Sequence, residues 1–110
     1  MAYDEDVASR VRNALADAGV EWREQRMFGG LAFMVRGHMT VGIVGDELMV
    51  RVGREAHADA LALPYARPMG FTGKPMTGMV DVAARGFAGE ADLREWIQRG
   101  LAFTQSLPPK

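Results

Sequence analysis

Arg26-Met27-Phe28-Gly29-Gly30-Leu31-Ala32-Phe33-Met34-Val35 decides the fold, because a charged flank and a glycine pair open onto an apolar pattern of period two. From Gly30 onward Leu31, Phe33 and Val35 point one way and Ala32, Met34 and Arg36 the other, which predicts a half-buried strand. Arg36-Gly37 supplies a turn. Met39, Val41 and Ile43 then alternate with Thr40, Gly42 and Val44 in a returning strand. Gly45-Asp46 fits a type II′ hairpin, whose first central residue needs a positive φ. Leu48, Val50 and Val52, with Met49 and Arg51 opposite, continue into a third strand, and the three form a meander.

Upstream, Asp4 is a good N-cap, Glu5 and Asp6 suit the positive end of a helix dipole, and Val7, Val11, Ala14, Leu15 and Ala18 make one apolar stripe ended by Gly19. Val20 to Gln25 reads as a polar connection in which Trp22 covers a core edge. Downstream, Gly53 breaks the third strand and Arg54 to Leu63 predicts a short helix stopped by Pro64. Tyr65 to Pro68 reads as irregular, Met69-Gly70-Phe71 as a brief strand, and Thr72 to Pro75 as a turn. Met79, Val80, Val82 and Ala84 suggest the last strand. Leu93, Trp96, Ile97, Leu101 and Phe103 or Thr104 recur at helical spacing until Ser106-Leu107-Pro108-Pro109-Lys110. The order α-βββ-α-ββ-α predicts an α+β two-layer sandwich on a mainly antiparallel sheet, as one domain over residues 1–110.

The 110 residues match one core. Hydrophobic residues at 48% and charged residues at 25% are the composition of an ordinary globular protein. With Cys 0 there is no disulfide framework, no thiolate nucleophile and no thiolate metal site, which suits a reducing cytoplasm. The first residues are acidic where a signal peptide is basic, and no apolar run reaches membrane-spanning length. A net charge of -1 disfavours nucleic acid as a partner, although Arg26, Arg36, Arg51, Arg54, Arg67 and Arg85 leave room for a local basic patch.

No residue pattern carries catalysis. Arg26 to Phe33 half-matches an RNA-recognition sheet motif, but Gly30 stands where a stacking aromatic is required and Met27 replaces a glycine. A core Phe28 and closely packed glycines are favoured instead. Gly73-Lys74 lacks the Ser or Thr of a phosphate-binding loop, since Pro75 follows. His38 and His57 lack acidic or histidine neighbours at ligand spacing, so neither a metal nor a cofactor is expected. Ser9 and Ser106 have no nucleophile elbow. Tyr65 and Arg67 are the best polar pair for a small anion, with anchoring of their loop the favoured role. Met34, Thr40, Met49 and Arg51 fall on the sheet face opposite Leu31, Phe33, Leu48 and Val50. With helices on one side only, that face either lacks intramolecular cover or is covered by the carboxy-terminal helix or a loop, and in the first case methionines beside arginine suit an interface. A symmetric homodimer would bury it, and charged replacements at Met34 and Met49 would then give a folded monomer.

Arg26-Met27-Phe28-Gly29-Gly30, the Leu48-Met49-Val50-Arg51-Val52 strand, the Gly73-Lys74-Pro75-Met76 turn and the Ser106-Leu107-Pro108-Pro109-Lys110 tail together resemble standalone members of the TfoX/Sxy competence-regulator family, in its amino-terminal domain. The resemblance covers nearly the whole chain and implies the same α-βββ-α-ββ-α arrangement. Longer competence regulators append a helical domain of helix-hairpin-helix character that does not follow here. What carries over is a protein-binding or self-associating role, so the expectation is a non-enzymatic regulatory or protein-interaction module that self-associates through the open sheet face. The alternative is a small-ligand or nucleic-acid binding module linked to competence or transcription regulation.

Overall fold

The computed structural model describes residues 3–27, 29–68 and 77–108. Its elements in chain order are α1 (Glu5–Asp17), β1 (Arg23–Met27), β2 (Gly30–Val35), β3 (His38–Val44), β4 (Glu47–Arg51), α2 (Gly53–Leu61), β5 (Ala66–Pro68), β6 (Met79–Val82), a 3₁₀ turn (Ala84–Phe87) and α3 (Glu90–Thr104). Among the described residues six strands form one antiparallel sheet in the order β1-β2-β3-β4-β6-β5. The α+β fold is as expected, with one strand more before α2 than the sequence pattern suggested. Val20 to Gln25 is not merely a connection, because Arg23 onward pairs with β2 from Arg23 opposite Met34 to Met27 opposite Gly30. Periodicity concealed β1 because all but the last of its residues are exposed.

Turn chemistry sets the register. Asp4 Oδ1 accepts from the Asp6 and Val7 amides at 2.8 and 3.2 Å, capping α1. Gly19, at φ +74, closes that helix: its amide donates to Ala16 O and the Val20 amide to Leu15 O, which aims the chain at β1. The glycine pair has two separate tasks. Gly29 takes φ +71 in the loop between β1 and β2. Gly30 lies so near β3 that a Cβ there would stand 1.9 Å from Ile43 O. Phe28, expected in the core, lies outside the described residues, as do the expected strand at Met69 to Phe71 and the Gly73 to Met76 turn. Arg36 and Gly37 both have positive φ, as a type I′ turn requires, and Gly45 at φ +59 fits the expected II′ turn. Tyr65 to Pro68 is not wholly irregular. Ala66–Pro68 pairs with β6 as an edge strand, a place where proline is tolerated.

The helices cover one face. Val7, Val11 and Leu15 of α1 join Leu93, Trp96, Ile97 and Leu101 of α3 against Leu31, Phe33, Val41, Ile43, Leu48, Val50, Val80 and Val82. α3 comes down to the backbone of β3, since a Cβ on Gly100 would meet Thr40 O at 2.9 Å. The opposite face carries a second, smaller cluster of Ala32, Met39, Met49 and Met79, with Met27, Met34 and Val44 partly buried around it.

On that second face the structure corrects one expectation and decides between two alternatives. A bulge interrupts the β2–β3 ladder: Phe33 pairs with Val41 but Met34 with Met39, leaving Thr40 as the extra residue. One extra residue reverses the alternation. Met39 therefore joins the methionine face, and Thr40 turns to α3, its hydroxyl 3.0 Å from Thr104 Oγ1. Nor is the face bare, because Met49 is only 2% exposed and Ala32 fully buried within the single chain. Gly42 helps make this possible: the Met49 and Met39 methyls come within 2.8 and 3.0 Å of where a Cβ would stand.

Candidate interaction surface

A groove of about 780 Å³ lies at the end of β1, lined by Val20, Glu21, Trp22, Arg23, Met34, Arg36 and Gly37. Its aromatic wall is held from α1. Arg12 donates to both carboxylate oxygens of Glu24, Nε to Oε2 at 2.7 Å and Nη2 to Oε1 at 2.8 Å. Glu24 Oε2 also accepts from the indole Nε1 of Trp22 at 3.1 Å. The Arg12 hydrogen bonds hold the Glu24 carboxyl below the usual carboxylate range, against the opposing effect of burial. Trp22, as expected, packs on the core edge while remaining partly open to the groove.

The opposite wall is held from the C-terminal end of α3. Arg36 takes φ +56 in the β2–β3 turn, and its Nη1 donates to Gln105 O at 3.0 Å. His38 Nε2 lies 2.7 Å from Pro108 O. A carbonyl only accepts, so this nitrogen carries the proton. Among the described residues the buried Nδ1 has no partner.

The sequence candidates do not converge on one place. Met34 borders the groove, Met49 is buried on the methionine face, and Thr40 binds α3. The Arg51 guanidinium lies 5.2 Å from the centre of the Phe103 ring, so it also reaches α3. Tyr65 and Arg67 are separated. Tyr65, at φ +67, lines a smaller cleft with Arg85, Trp96 and Arg99. Arg67 pairs with Glu47 beside Asp81. Burial, then the Glu47 charge, pushes the Asp81 carboxyl above its ordinary value, and Arg67 partly opposes them. Among the described residues there is no group of three or more metal-ligating side chains, and no helix is long and apolar enough to cross a membrane.

The glycine-paired β1–β2 hairpin, the meander behind it and the closing α3 lie within one family match: the family model for the TfoX N-terminal domain covers residues 13–104. The chain belongs to that family. No curated protein and no solved structure matches it. Membership points to a regulatory, competence-related domain. In this TfoX N-terminal domain the signature residues Arg26, Met27 and Gly30 lie at the end of an edge hairpin, with Met27 paired to Gly30. Sequence reading missed β1 and hence the groove. The available signal was Gly29, since a hairpin turn before β2 requires a strand ahead of it.

Proposed function

We propose that this domain is a non-enzymatic regulatory module that binds a protein partner in extended form along the β1 edge, anchored in the groove beside Trp22. The observation carrying this reading is the adjacency of a groove of about 780 Å³ to an exposed edge strand. An edge strand offers main-chain hydrogen bonds to an added strand, and a neighbouring pocket selects its side chains. Trp22 and Arg23 are residue types that concentrate binding energy, and the Arg12–Glu24 clamp orders the indole before a partner arrives.

The non-enzymatic part is supported by what surrounds the groove. Its charged side chains are Glu21, Arg23 and Arg36, and the carboxyl with the raised pKa, Asp81, is on β6 with β3 and β4 between it and β2. The net charge of -1 favours protein over nucleic acid.

A photo-crosslinking amino acid at Met34, in the full chain expressed in cells, tests the reading. The expected result is a discrete protein adduct that disappears in the Trp22→Ala background. Adducts to nucleic acid alone, or an unchanged protein adduct after Trp22→Ala, would overturn it.

A further inference from the structure

The two edges of the sheet are unequal. Among its described residues β5 includes Pro68, and its Arg67 is tied to Glu47. A residue without an amide donor and a paired charge are features of edges protected against pairing. β1 has five residues, Arg23-Glu24-Gln25-Arg26-Met27, with neither proline nor glycine, and its ladder with β2 runs in continuous register. Met27 and Gly30 close the hairpin as a bonded pair, so residues 23, 25 and 27 bond inward to β2. Glu24 and Arg26 then turn their backbone N–H and C=O groups outward.

From this pattern we infer that a second copy of the chain occupies the β1 edge, with β1 pairing antiparallel to β1 of its partner about a two-fold axis through Gln25. The inference rests on the edge-docking reading above and names its occupant. In this register Glu24 stands opposite the partner's Arg26 and Arg26 opposite the partner's Glu24, both on the helix side of the joined sheets. Charge complementarity is thus written into the strand itself. Arg26 is exposed and has no ion pair among the described residues, while Glu24 is already anchored by Arg12. On the other face Met27 comes beside the partner's Arg23, at the mouth of the partner's groove. The signature of each copy then borders the Trp22 wall of the other. An isologous contact of this kind closes on itself and leaves the β5 edges at the two ends of a twelve-stranded sheet.

The test is a charge exchange read by analytical ultracentrifugation. Wild type is expected to dimerise. Arg26→Glu and Glu24→Arg, each alone, place like charges opposite one another twice and should weaken the dimer by about tenfold or more. An equimolar mixture restores opposite charges at both places and should recover the dimer as a heterodimer. Because the chain has Cys 0, Gln25→Cys adds a second readout independent of charge. Directly opposed residues of a non-bonded antiparallel pair lie within disulfide reach, so oxidation should yield a covalent dimer. A wild type that stays monomeric at its highest soluble concentration, a mixture that does not reassociate, or a Gln25→Cys chain that does not crosslink would overturn the self-pairing. A heterologous protein adduct at Met34 in the same molecule would leave the edge-docking reading standing, so the two failures are distinguishable.

Discussion

The two faces of this sheet are made of different material. On the helix side Phe33, Val41, Ile43, Leu48 and Val50 are fully buried under α1 and α3. Branched and aromatic side chains hold few rotamers and fill a space of fixed shape. On the other side Ala32, Met39, Met49 and Met79 make a thin layer over Gly42, flanked by the charged Arg67, Glu47 and Asp81. Methionine adapts to irregular gaps, so this layer tolerates changes that the helix side does not. Burial alone does not separate the faces, since Met49 is nearly as enclosed as Val50. The shape constraint does.

The largest expected effect is therefore on the helix side. Phe33→Ala should cost about 3–5 kcal/mol in a denaturant melt, because a fully buried ring leaves a cavity bounded by two helices. A loss no greater than that of a methionine truncation would erase the contrast between the faces.

Within the methionine face, Met49→Ala should cost about 2 kcal/mol and Met34→Ala about 0.5 kcal/mol, measured the same way. The enclosed Met49 and the half-exposed Met34 account for the difference. Met49→Lys should unfold the chain, whereas Met34→Lys should remain folded. Equal tolerance of both lysines would mean that the face is open in solution.

At the signature turn, Gly29→Ala should cost about 1–2 kcal/mol through the left-handed backbone, with nothing near the added methyl. Gly30→Ala should cost more, because its methyl would meet the Ile43 carbonyl rather than open space. Comparing the two melts separates backbone strain from close approach.

The smallest effects are electrostatic and opposite in sign on the two faces. Glu24, lowered first by its hydrogen bonds to Arg12, contributes stability above its unfolded pKa that is lost as pH falls through the folded one. Asp81, raised first by burial and then by Glu47, opposes folding while ionised. That opposition is relieved as pH falls through its folded pKa toward its unfolded one. Glu24→Gln should flatten the acid loss in melts taken from neutral pH into the carboxylate range. Asp81→Asn should raise the neutral-pH melting point slightly. Parallel shifts in the two variants would contradict the assignment of charge environments.

The local signals that could be read without contacts were strong ones. Asp4 as a cap, Gly19 as a stop, the Arg36-Gly37 and Gly45-Asp46 turns, and the stripe through Leu93, Trp96, Ile97 and Leu101 all reflect interactions within a few residues. Alternation in β2 and β4 likewise marks which side meets the helices. β1 escaped because its residues on the helix-facing side, Glu24 and Arg26, remain exposed. Edge strands need no apolar period.

By itself, the sequence determined the α+β class, the bounds of the first helix, the Arg36-Gly37 and Gly45-Asp46 turns and the family resemblance that the match over residues 13–104 bears out. These depend on backbone preference and short-range periodicity, which the chain carries residue by residue. Tertiary structure alone decided that Thr40 is a bulge turned to α3, that Met49 is covered, and that Arg12, Glu24 and Trp22 join into one wall. Each of these depends on groups brought together from separate elements. A bulge has no local signature strong enough to mark it, and a single inserted residue reassigns every side chain beyond it to the other face.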